Sequence, residues 1–320
     1  MNSNDWYIKS ERVQWSMVIL IIAVSLFFVS PPEGFLWAKL ISNYAIHWML
    51  FCLLGGVITL FIEHEKLLYT FMICSALMAF YLMNSFNTDL KLAKFSSPNA
   101  IQLAFINPTL SNDDKIKMLQ FVFKKAPDVI ILQEFTPDML EWVKAYQQEY
   151  PYQYLLPRID PLGKAILSKF NLSSPNEFEL MDNPVLNLYI TSSQNDSFQI
   201  IVCNHLPPIT LMAYRKLNQF LTALSNTLSN AHQNLILVAD FNIVPWSREL
   251  RIFRNNSGLV ASRRDNADTG PETGNLDILN TASMELMYSK NLECSYFEVI
   301  VDSFGNPFGI MGRYQKKFVF

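Results

Sequence analysis

Residues Leu235-Ile236-Leu237-Val238-Ala239-Asp240-Phe241-Asn242 form an apolar run that ends abruptly in a carboxylate, an aromatic ring and an amide. A short, unbroken apolar run predicts a strand that is buried on both faces. In open α/β sheets, ligands bind just beyond the carboxyl ends of the strands. Asp240 is therefore suited to hold a metal ion or orient a water, and Asn242 to donate to a phosphate oxygen. Taken alone, the stretch also fits a strand followed by a turn in which Asp and Asn bond their own backbone.

Other apolar runs end in polar side chains in the same way. The polar residues at their ends include Asn107, Glu134 and His205, and Asp277 lies inside a short predicted strand, Leu276–Leu279. A single residue of this kind is usually a cap or a turn, whereas several in register predict one site. Glu134 is suited to Mg²⁺, which prefers oxygen ligands. His205 is suited to contact a phosphate or protonate a leaving group, and a core histidine bonded to a backbone carbonyl is its alternative.

Beyond about residue 99 the chain has the pattern of a strand-rich domain. A helix is predicted from Ser111 to about Lys125, another begins at Thr136-Pro137, and a third runs from Met212 to Leu228. Strands are predicted at Ile101–Ile106, Asp128–Leu132, Tyr152–Leu156, Lys164–Leu167, Leu186–Thr191, Phe198–Cys203, Leu276–Leu279, Glu293–Val301 and Gly309–Phe320. Because strands outnumber helices, two packed sheets with flanking helices are favoured over a doubly wound sheet.

The first part of the chain has a different composition. Three runs without formal charge, Trp15–Val29, Tyr44–Ile62 and Leu67–Met83, are long enough to cross a bilayer as helices. A buried helical core domain is the alternative, and a cleaved signal peptide would account for the first run only. We therefore predict a membrane region over residues 1–84, a linker over 85–98 and a separate domain over 99–320, with the lipid bilayer as one partner.

Composition sets only broad limits on function. The chain has 320 residues, half of them hydrophobic, and its net charge of −3 does not indicate a strongly basic nucleic-acid binder. Its four cysteines show no metal-binding or disulfide spacing. Basic residues flanking the three runs divide equally between the two sides of the membrane, as Lys9, Arg12 and Lys66 against Lys39, Lys91 and Lys94. The first helix usually dominates orientation, which favours a cytoplasmic N-terminus and an extracytoplasmic domain.

Five segments, in this order, resemble the motifs of the endonuclease/exonuclease/phosphatase family. They are DVIILQE (128–134), GKAILSK (163–169), CNHLPP (203–208), LVADFN (237–242) followed by PWS, and LDIL (276–279). The resemblance covers about residues 99–320 and is closest to bacterial members with N-terminal membrane helices. It implies an α+β fold, a four-layered αββα sandwich, in a bacterial inner membrane protein that cleaves phosphate esters with Mg²⁺ or Mn²⁺.

The resemblance also implies a role for each residue that matches a motif. Asn107 and Glu134 would lie at the metal, and His205 would contact the scissile phosphate. Asp240 would orient the attacking water, and Asn242 would steady the phosphate. Asp277 would orient a catalytic histidine. The substrate class stays open among a lipid headgroup, a nucleotide and a nucleic acid, because function depends on the loops around the site.

The chain departs from the family near its C-terminus. The family motif Ser-Asp-His before the last strand is replaced by residues 303–310, SFGNPFGI, with Asn306 near the place of Asp and Pro307 near the place of His. No histidine follows His232. This loss of the general base leaves two main hypotheses: a membrane-anchored phosphoesterase with a degraded Asp-His base, or a catalytically inactive member that binds a phosphate ligand or regulates. A membrane scaffold with an interaction domain is a third hypothesis, which the retained polar residues disfavour.

Overall fold

The computed structural model describes residues 11–32, 35–85, 87, 99–110, 115–193, 195–229, 234–263, 283–305 and 307–317. The predicted strand around Asp277, the predicted helix start at Ser111 and the position of Asn306 lie outside these residues. The chain divides into two compact units. One runs to Ser85 and includes Ile209–Leu211 and Trp246–Arg248, and the other takes the remaining residues after Ser85.

The first unit is helical. Its helices are α1 (Glu11–Val29), α2 (Leu36–Ile41), α3 (Ala45–Phe61) and α4 (Glu65–Met83), with a 3-10 turn joining α2 to α3. Three helical segments, Glu11–Val29, Leu36–Phe61 and Glu65–Met83, are long and apolar enough to cross a membrane. Many of their large apolar side chains are exposed, such as Leu20, Leu54 and Phe80. Because water solvates such a surface poorly, this composition is compatible with helices surrounded by lipid.

The second unit contains twelve described strands in two six-stranded sheets. The first sheet has the order β11-β12-β1-β2-β4-β3 and the second the order β5-β6-β7-β8-β10-β9. The strands are β1 (Ile101–Ile106), β2 (Val129–Gln133), β3 (Tyr152–Leu156), β4 (Lys164–Ser168), β5 (Asn171–Leu180), β6 (Asn183–Thr191), β7 (Ser197–Asn204), β8 (Leu235–Asp240), β9 (Val260–Ala261), β10 (Met284–Tyr288), β11 (Leu292–Val301) and β12 (Pro307–Lys316).

Apolar side chains from both sheets meet in one core. Phe105 and Ile131 of the first sheet share this core with Ile200 and Val238 of the second. The helices α5 (Lys115–Lys124) and α6 (Leu140–Lys144) pack through Met118, Val122 and Val143, among others, on the outer face of the first sheet. The helices α7 (Leu211–Ser229) and α8 (Arg248–Ser257) bring Phe220 and Phe253 against Phe241 beyond β8. The predicted αββα arrangement is confirmed.

Two parallel strand pairs determine where the polar strand ends meet. β1 pairs in parallel with β2, and β7 with β8. In the second pair Asn204 lies beside Asp240. Parallel neighbours end at the same edge of a sheet, so the residues that follow β1 and β2 are brought together, as are those that follow β7 and β8.

Candidate active site

Asn107 and Glu134 lie in direct contact beyond the ends of β1 and β2. Asn107 Nδ2 donates to Glu134 Oε1 at 3.0 Å. Thr109 joins them: its Oγ1 lies 2.7 Å from Glu134 Oε2 and 2.8 Å from Asn107 Oδ1, and its backbone N–H donates to Asn107 Oδ1 at 3.1 Å. Both carboxylate oxygens of Glu134 therefore meet neutral donors, and no ion pair to Glu134 occurs among the described residues.

The backbone around Glu134 is held in an unusual conformation. Glu134 has a φ of +53°, a left-handed value that costs free energy for a residue with a Cβ. The next residue, Phe135, exchanges backbone hydrogen bonds with the loop before β4: its N–H donates to Gly163 O, and its C=O accepts from Arg158 N–H. A Cβ at position 163 would lie 2.1 Å from Phe135 O, so only glycine allows this approach. The contacts of Phe135 with Gly163 and Arg158 therefore hold the strained turn at Glu134 in place.

Asp240 is buried at the end of β8, where the two sheets face each other. Gln133 Nε2 from the first sheet donates to its Oδ2 at 3.3 Å, and Asn242 N–H donates to its Oδ1 at 3.1 Å. Burial raises the pKa of the Asp240 carboxyl, and the nearby charge of Glu134 raises it further, whereas hydrogen bonds from Ser283, Asn242 and Gln133 oppose the rise. Glu134 and Asp240 thus lie within electrostatic range of each other.

His205 and Asn242 are linked beside Asp240. Asn242 has a φ of +54°, and its Nδ2 donates to His205 O at 2.8 Å. The His205 ring is buried, with its Nδ1 2.7 Å from Leu206 O. A carbonyl only accepts, so Nδ1 carries the proton and Nε2 is the nitrogen left for a ligand. Burial lowers the pKa of His205, although the hydrogen bond to the Leu206 carbonyl opposes this shift. The lowered pKa favours the neutral ring near neutral pH.

Further buried polar groups lie on the strands that carry these residues. Lys164 is the cross-strand partner of Gln133. Its Nζ donates to Pro184 O at 2.8 Å and lies 3.7 Å from Glu177. Burial lowers the pKa of Lys164, whereas Glu177 raises it. In the part of the chain that the structure describes, Gln133 Oε1 and Asn204 Oδ1 are buried without a hydrogen-bond donor.

Sequence reasoning missed Thr109, Gln133 and Lys164 as parts of this region. Gln133 carried a signal, because it precedes Glu134 at the end of an apolar run. Lys164 also carried one, since it opens the apolar run of β4, where a charge is costly unless it is compensated. Thr109 carried none, because a threonine two residues beyond a strand is common in turns.

The C-terminal positions present no imidazole in the described residues. Asp302 to Gly305 form a turn in which Phe304 N–H donates to the Asp302 carboxylate and Phe304 is exposed. β12 begins at Pro307, which pairs with Val301 of β11. Pro307 has neither a titratable side chain nor a backbone N–H. Asn306 and Asp277 lie outside the described residues, so their predicted roles stay predictions.

The donor set near Glu134 suits a hard divalent cation. Mg²⁺ and Mn²⁺ favour carboxylate, amide and hydroxyl oxygens, and Glu134, Asn107 and Thr109 supply all three kinds. Because the hydrogen-bond partners of Glu134 are neutral, its charge is available to a cation. Within the described residues, no group of three or more His, Cys, Asp or Glu side chains forms a metal cluster.

Comparisons with known proteins give one family from the sequence and one shared fold from the structure. The model of the Endonuclease/Exonuclease/phosphatase family matches residues 85–286. A search of curated proteins found no match. An endonuclease/exonuclease/phosphatase from Beutenbergia cavernae is similar in structure, with a TM-score of 0.55, 12% identity, and coverage of 68% of this chain and 72% of that one. The human nocturnin catalytic domain with bound sulfate has a TM-score of 0.54 and 14% identity, with coverage of 70% of this chain and 97% of that one. The mannosyl-6-phosphatase of Bacteroides thetaiotaomicron has a TM-score of 0.50 and 13% identity, with coverage of 68% of this chain and 100% of that one. At these identities the structural likeness shows the shared fold.

Proposed function

Since the chain belongs to the endonuclease/exonuclease/phosphatase family, we propose that it is a membrane-anchored, divalent-metal-dependent phosphoesterase with slow turnover. The observation that carries the proposal is a set of hydrogen bonds at the strand ends, namely Asn107 with Glu134, Gln133 with Asp240, and Asn242 with His205. Retained polar groups in this arrangement match a phosphate-ester site. The three apolar helices support the membrane anchor.

Each residue has a role that follows from its chemistry. Glu134 and Asn107 would hold Mg²⁺ or Mn²⁺, an ion that neutralises phosphate charge and activates water when bound. Asp240, whose carboxylate already accepts three hydrogen bonds, would orient the attacking water. Asn242 donates one amide proton to His205 O and has a second for a phosphate oxygen.

His205 is better suited to accept a proton than to donate one at neutral pH. Its Nδ1 proton is committed to Leu206 O, and the lowered pKa leaves Nε2 unprotonated. A phosphate group bound beside the ring would favour the protonated form and raise the pKa. His205 would then steady the bound phosphate, in line with the role that the family resemblance implies.

Slow turnover follows from the C-terminal departure. A positioned general base typically contributes about 10²–10⁴-fold to a rate, and Ser303, Phe304, Gly305 and Pro307 supply no imidazole. Asp277 would lack its histidine partner. The remaining groups still bind and orient, so we expect weak hydrolysis of phosphate esters together with retained ligand binding.

An assay on the full chain in detergent tests this proposal. Phosphomonoesters and diesters with lipid, nucleotide and nucleic-acid leaving groups would be incubated with Mg²⁺ or Mn²⁺. We expect slow, metal-dependent release that Glu134→Ala abolishes and Glu179→Ala leaves unchanged, because Glu179 is exposed on β5. Rapid turnover that Glu134→Ala removes would show that the C-terminal departure costs little. Activity unaffected by Glu134→Ala would contradict the site.

A second candidate is an inactive family member that binds a phosphate ligand or regulates. The absence of histidine from the described residues around the start of β12 favours it. Binding of phosphate or a nucleotide that requires Asn242 and His205, without detectable hydrolysis of any substrate in the panel, would support this candidate over the first.

A further inference from the structure

Large apolar side chains are exposed around the end of the second unit that carries the candidate site. They lie in the segments after β1 and β7, in the loop before β4, in the hairpin between β5 and β6, and in the turn between β11 and β12. We call them the apolar rim, which consists of Leu110, Ile159, Met181, Leu206, Met212 and Phe304. Ile159 is 96% exposed and Met212 is 65% exposed.

Strand pairing places the whole apolar rim at the end where the site residues lie. The loop before β4 lies there because β4 is antiparallel to β2, which leads into Glu134. The hairpin lies there because β6 is antiparallel to β7, which ends at Asn204, and the turn because β12 is antiparallel to β1, which leads into Asn107. At the opposite end, the turns between β6 and β7 and between β10 and β11 expose Ser193 and Lys290 instead. Exposed apolar side chains gathered in this way indicate a binding surface.

The segment between His205 and α7 continues the apolar surface into the helical unit. Its sequence over residues 206–212 is LPPITLM, which contains no charged residue. Ile209–Leu211 belongs to the helical unit, and Ile209 is 77% exposed. Because Leu206 and Met212 flank this segment, exposed apolar side chains follow one another along the chain from the site into the unit that contains the three long apolar helices.

A second segment connects the loop after β8 with the same unit. Trp246–Arg248, which begins four residues after Asn242, also belongs to the helical unit. Within that unit, Trp246 Nε1 donates to Ser42 O at 3.0 Å, and the Tyr81 hydroxyl donates to Trp246 O at 2.8 Å. Tyr81 lies near the end of α4, the last apolar helix before the second unit. The loops after His205 and after Asn242 therefore both contain residues of the helical unit.

We propose that the apolar rim contacts the lipid bilayer and that the site receives the phosphate group of a membrane lipid. This inference rests on the proposed function and deepens it by naming the substrate class. A bilayer suits the rim because apolar side chains enter the boundary between headgroups and acyl chains, which leaves the polar groups of His205 and Asn242 at the depth of the headgroups. Hydrolysis adds water across the bond between phosphorus and one ester oxygen, and that oxygen leaves with a proton.

A fluorescence experiment on the full chain in phosphatidylcholine vesicles tests the contact. Ile159→Cys and Met212→Cys would each carry an environment-sensitive fluorophore, and Ser193→Cys would carry it at the opposite end. All four native cysteines are buried, so the unsubstituted chain is the blank for labelling. We expect brominated lipids to quench the fluorophore at positions 159 and 212 but not at 193, and iodide in the water to quench it at 193 but not at 159 and 212.

A second experiment tests the lipid substrate after the rim has been made polar. Ile159→Asp with Met212→Asp replaces two exposed apolar side chains, and Tyr152→Asp with Ser193→Asp adds the same charge on exposed residues at the opposite end. In the presence of Mn²⁺, we expect the rim pair to lower kcat/KM for phosphatidylcholine in vesicles by about 10-fold or more. It should leave kcat/KM for soluble glycerophosphocholine unchanged, and the control pair should change neither value.

The outcomes separate this inference from the proposed function. Quenching by iodide at all three positions would show that the rim faces water, and protection of the rim from both quenchers would show that protein covers it. Either result overturns the inference and leaves phosphate-ester hydrolysis standing, as does an equal loss of kcat/KM on both substrates in the rim pair. If lipids quench the rim and no substrate is hydrolysed, the bilayer contact is supported and the turnover of the proposed function fails.

Discussion

At the scale of single residues, His205 links the site to pH. Its pKa is about 6.5 in an unfolded chain and lower in the fold because the ring is buried. Between these two pKa values the unfolded state binds more protons than the folded state. The free energy of unfolding therefore rises with pH, and the stabilising contribution of the neutral His205 ring is lost as the pH falls. We expect the melting temperature of the native chain to fall more steeply from about pH 7 to about pH 5 than that of His205→Gln. Both chains keep Asp240, whose raised pKa acts in the opposite sense, so the comparison isolates His205. Equal slopes would contradict the burial argument.

The degraded base can be tested by restoring it. Asn306→Asp with Pro307→His returns the carboxylate and the imidazole to the positions that the family resemblance assigns. A restored base is expected to raise the rate of phosphate-ester hydrolysis by about 10²-fold, measured as initial rates with Mg²⁺. β12 begins at Pro307, so Phe304→Asp with Pro307→His, which leaves the left-handed Gly305 (φ +84°) in place, is the alternative pair. If neither pair raises a rate that depends on Glu134, the missing base is not what limits turnover.

The predicted site residues illustrate what a strand pattern contains. Asn107, Glu134, His205 and Asp240 each follow or end an apolar strand, and parallel pairing brings their ends together. The sequence pattern did not indicate Thr109, because its contacts depend on the turn that brings it against Glu134. The order of the strand ends can be deduced from the sequence. Which side chains are in contact depends on the conformation of the turns beyond those ends, and the strand pattern does not contain it.

At the scale of elements, the loop before β4 supports the turn that holds Glu134. Gly163→Ala would place a Cβ 2.1 Å from Phe135 O, and a backbone carbonyl cannot move aside without moving the turn. We expect a loss of about 2 kcal/mol in the free energy of unfolding and weaker Mn²⁺ binding, because Glu134 would shift with Phe135. Chemical denaturation and a Mn²⁺ titration measure the two effects.

Gly258→Ala is the matched control for that substitution. Gly258 has a φ of +69° and follows α8, and a Cβ there would meet no heavy atom of the described residues within 4 Å. Its replacement is expected to cost about 1 kcal/mol through backbone strain alone, with Mn²⁺ binding unchanged. Equal loss of Mn²⁺ binding in both variants would show that Gly163 has no special link to the site.

The elements that sequence reasoning missed have physical reasons. β5 (Asn171–Leu180) is a mostly exposed edge strand that contains Pro175, so it lacks the apolar alternation that marks a half-buried strand. β10 (Met284–Tyr288) is fully buried although it contains Glu285, whose charge breaks the apolar run. Burial raises the pKa of Glu285, whereas Arg263 and Arg254 lower it. A tertiary charge arrangement of this kind cannot be deduced from the run itself.

At the scale of the whole molecule, two compositions are joined in one chain. The three long apolar helices and the strand-rich unit were both predicted, because run length and strand periodicity are local properties. The orientation in a membrane is different. It depends on the difference between basic residues on the two sides, and here that difference is zero, three against three.

Three membrane crossings would place the N-terminus and the strand-rich unit on opposite sides of the membrane. We expect a cytoplasmic N-terminus, because the first helix usually dominates and Lys9 and Arg12 precede it. Alkaline phosphatase fused after Phe320 should then be active in a bacterial host, and a fluorescent protein fused there should be dark. Lys9→Gln with Arg12→Gln lowers the cytoplasmic count to one against three and should invert part of the population, whereas Lys39→Gln should not. A fluorescent C-terminal fusion in the native chain would place the domain in the cytoplasm and restrict its substrates to phosphate esters found there.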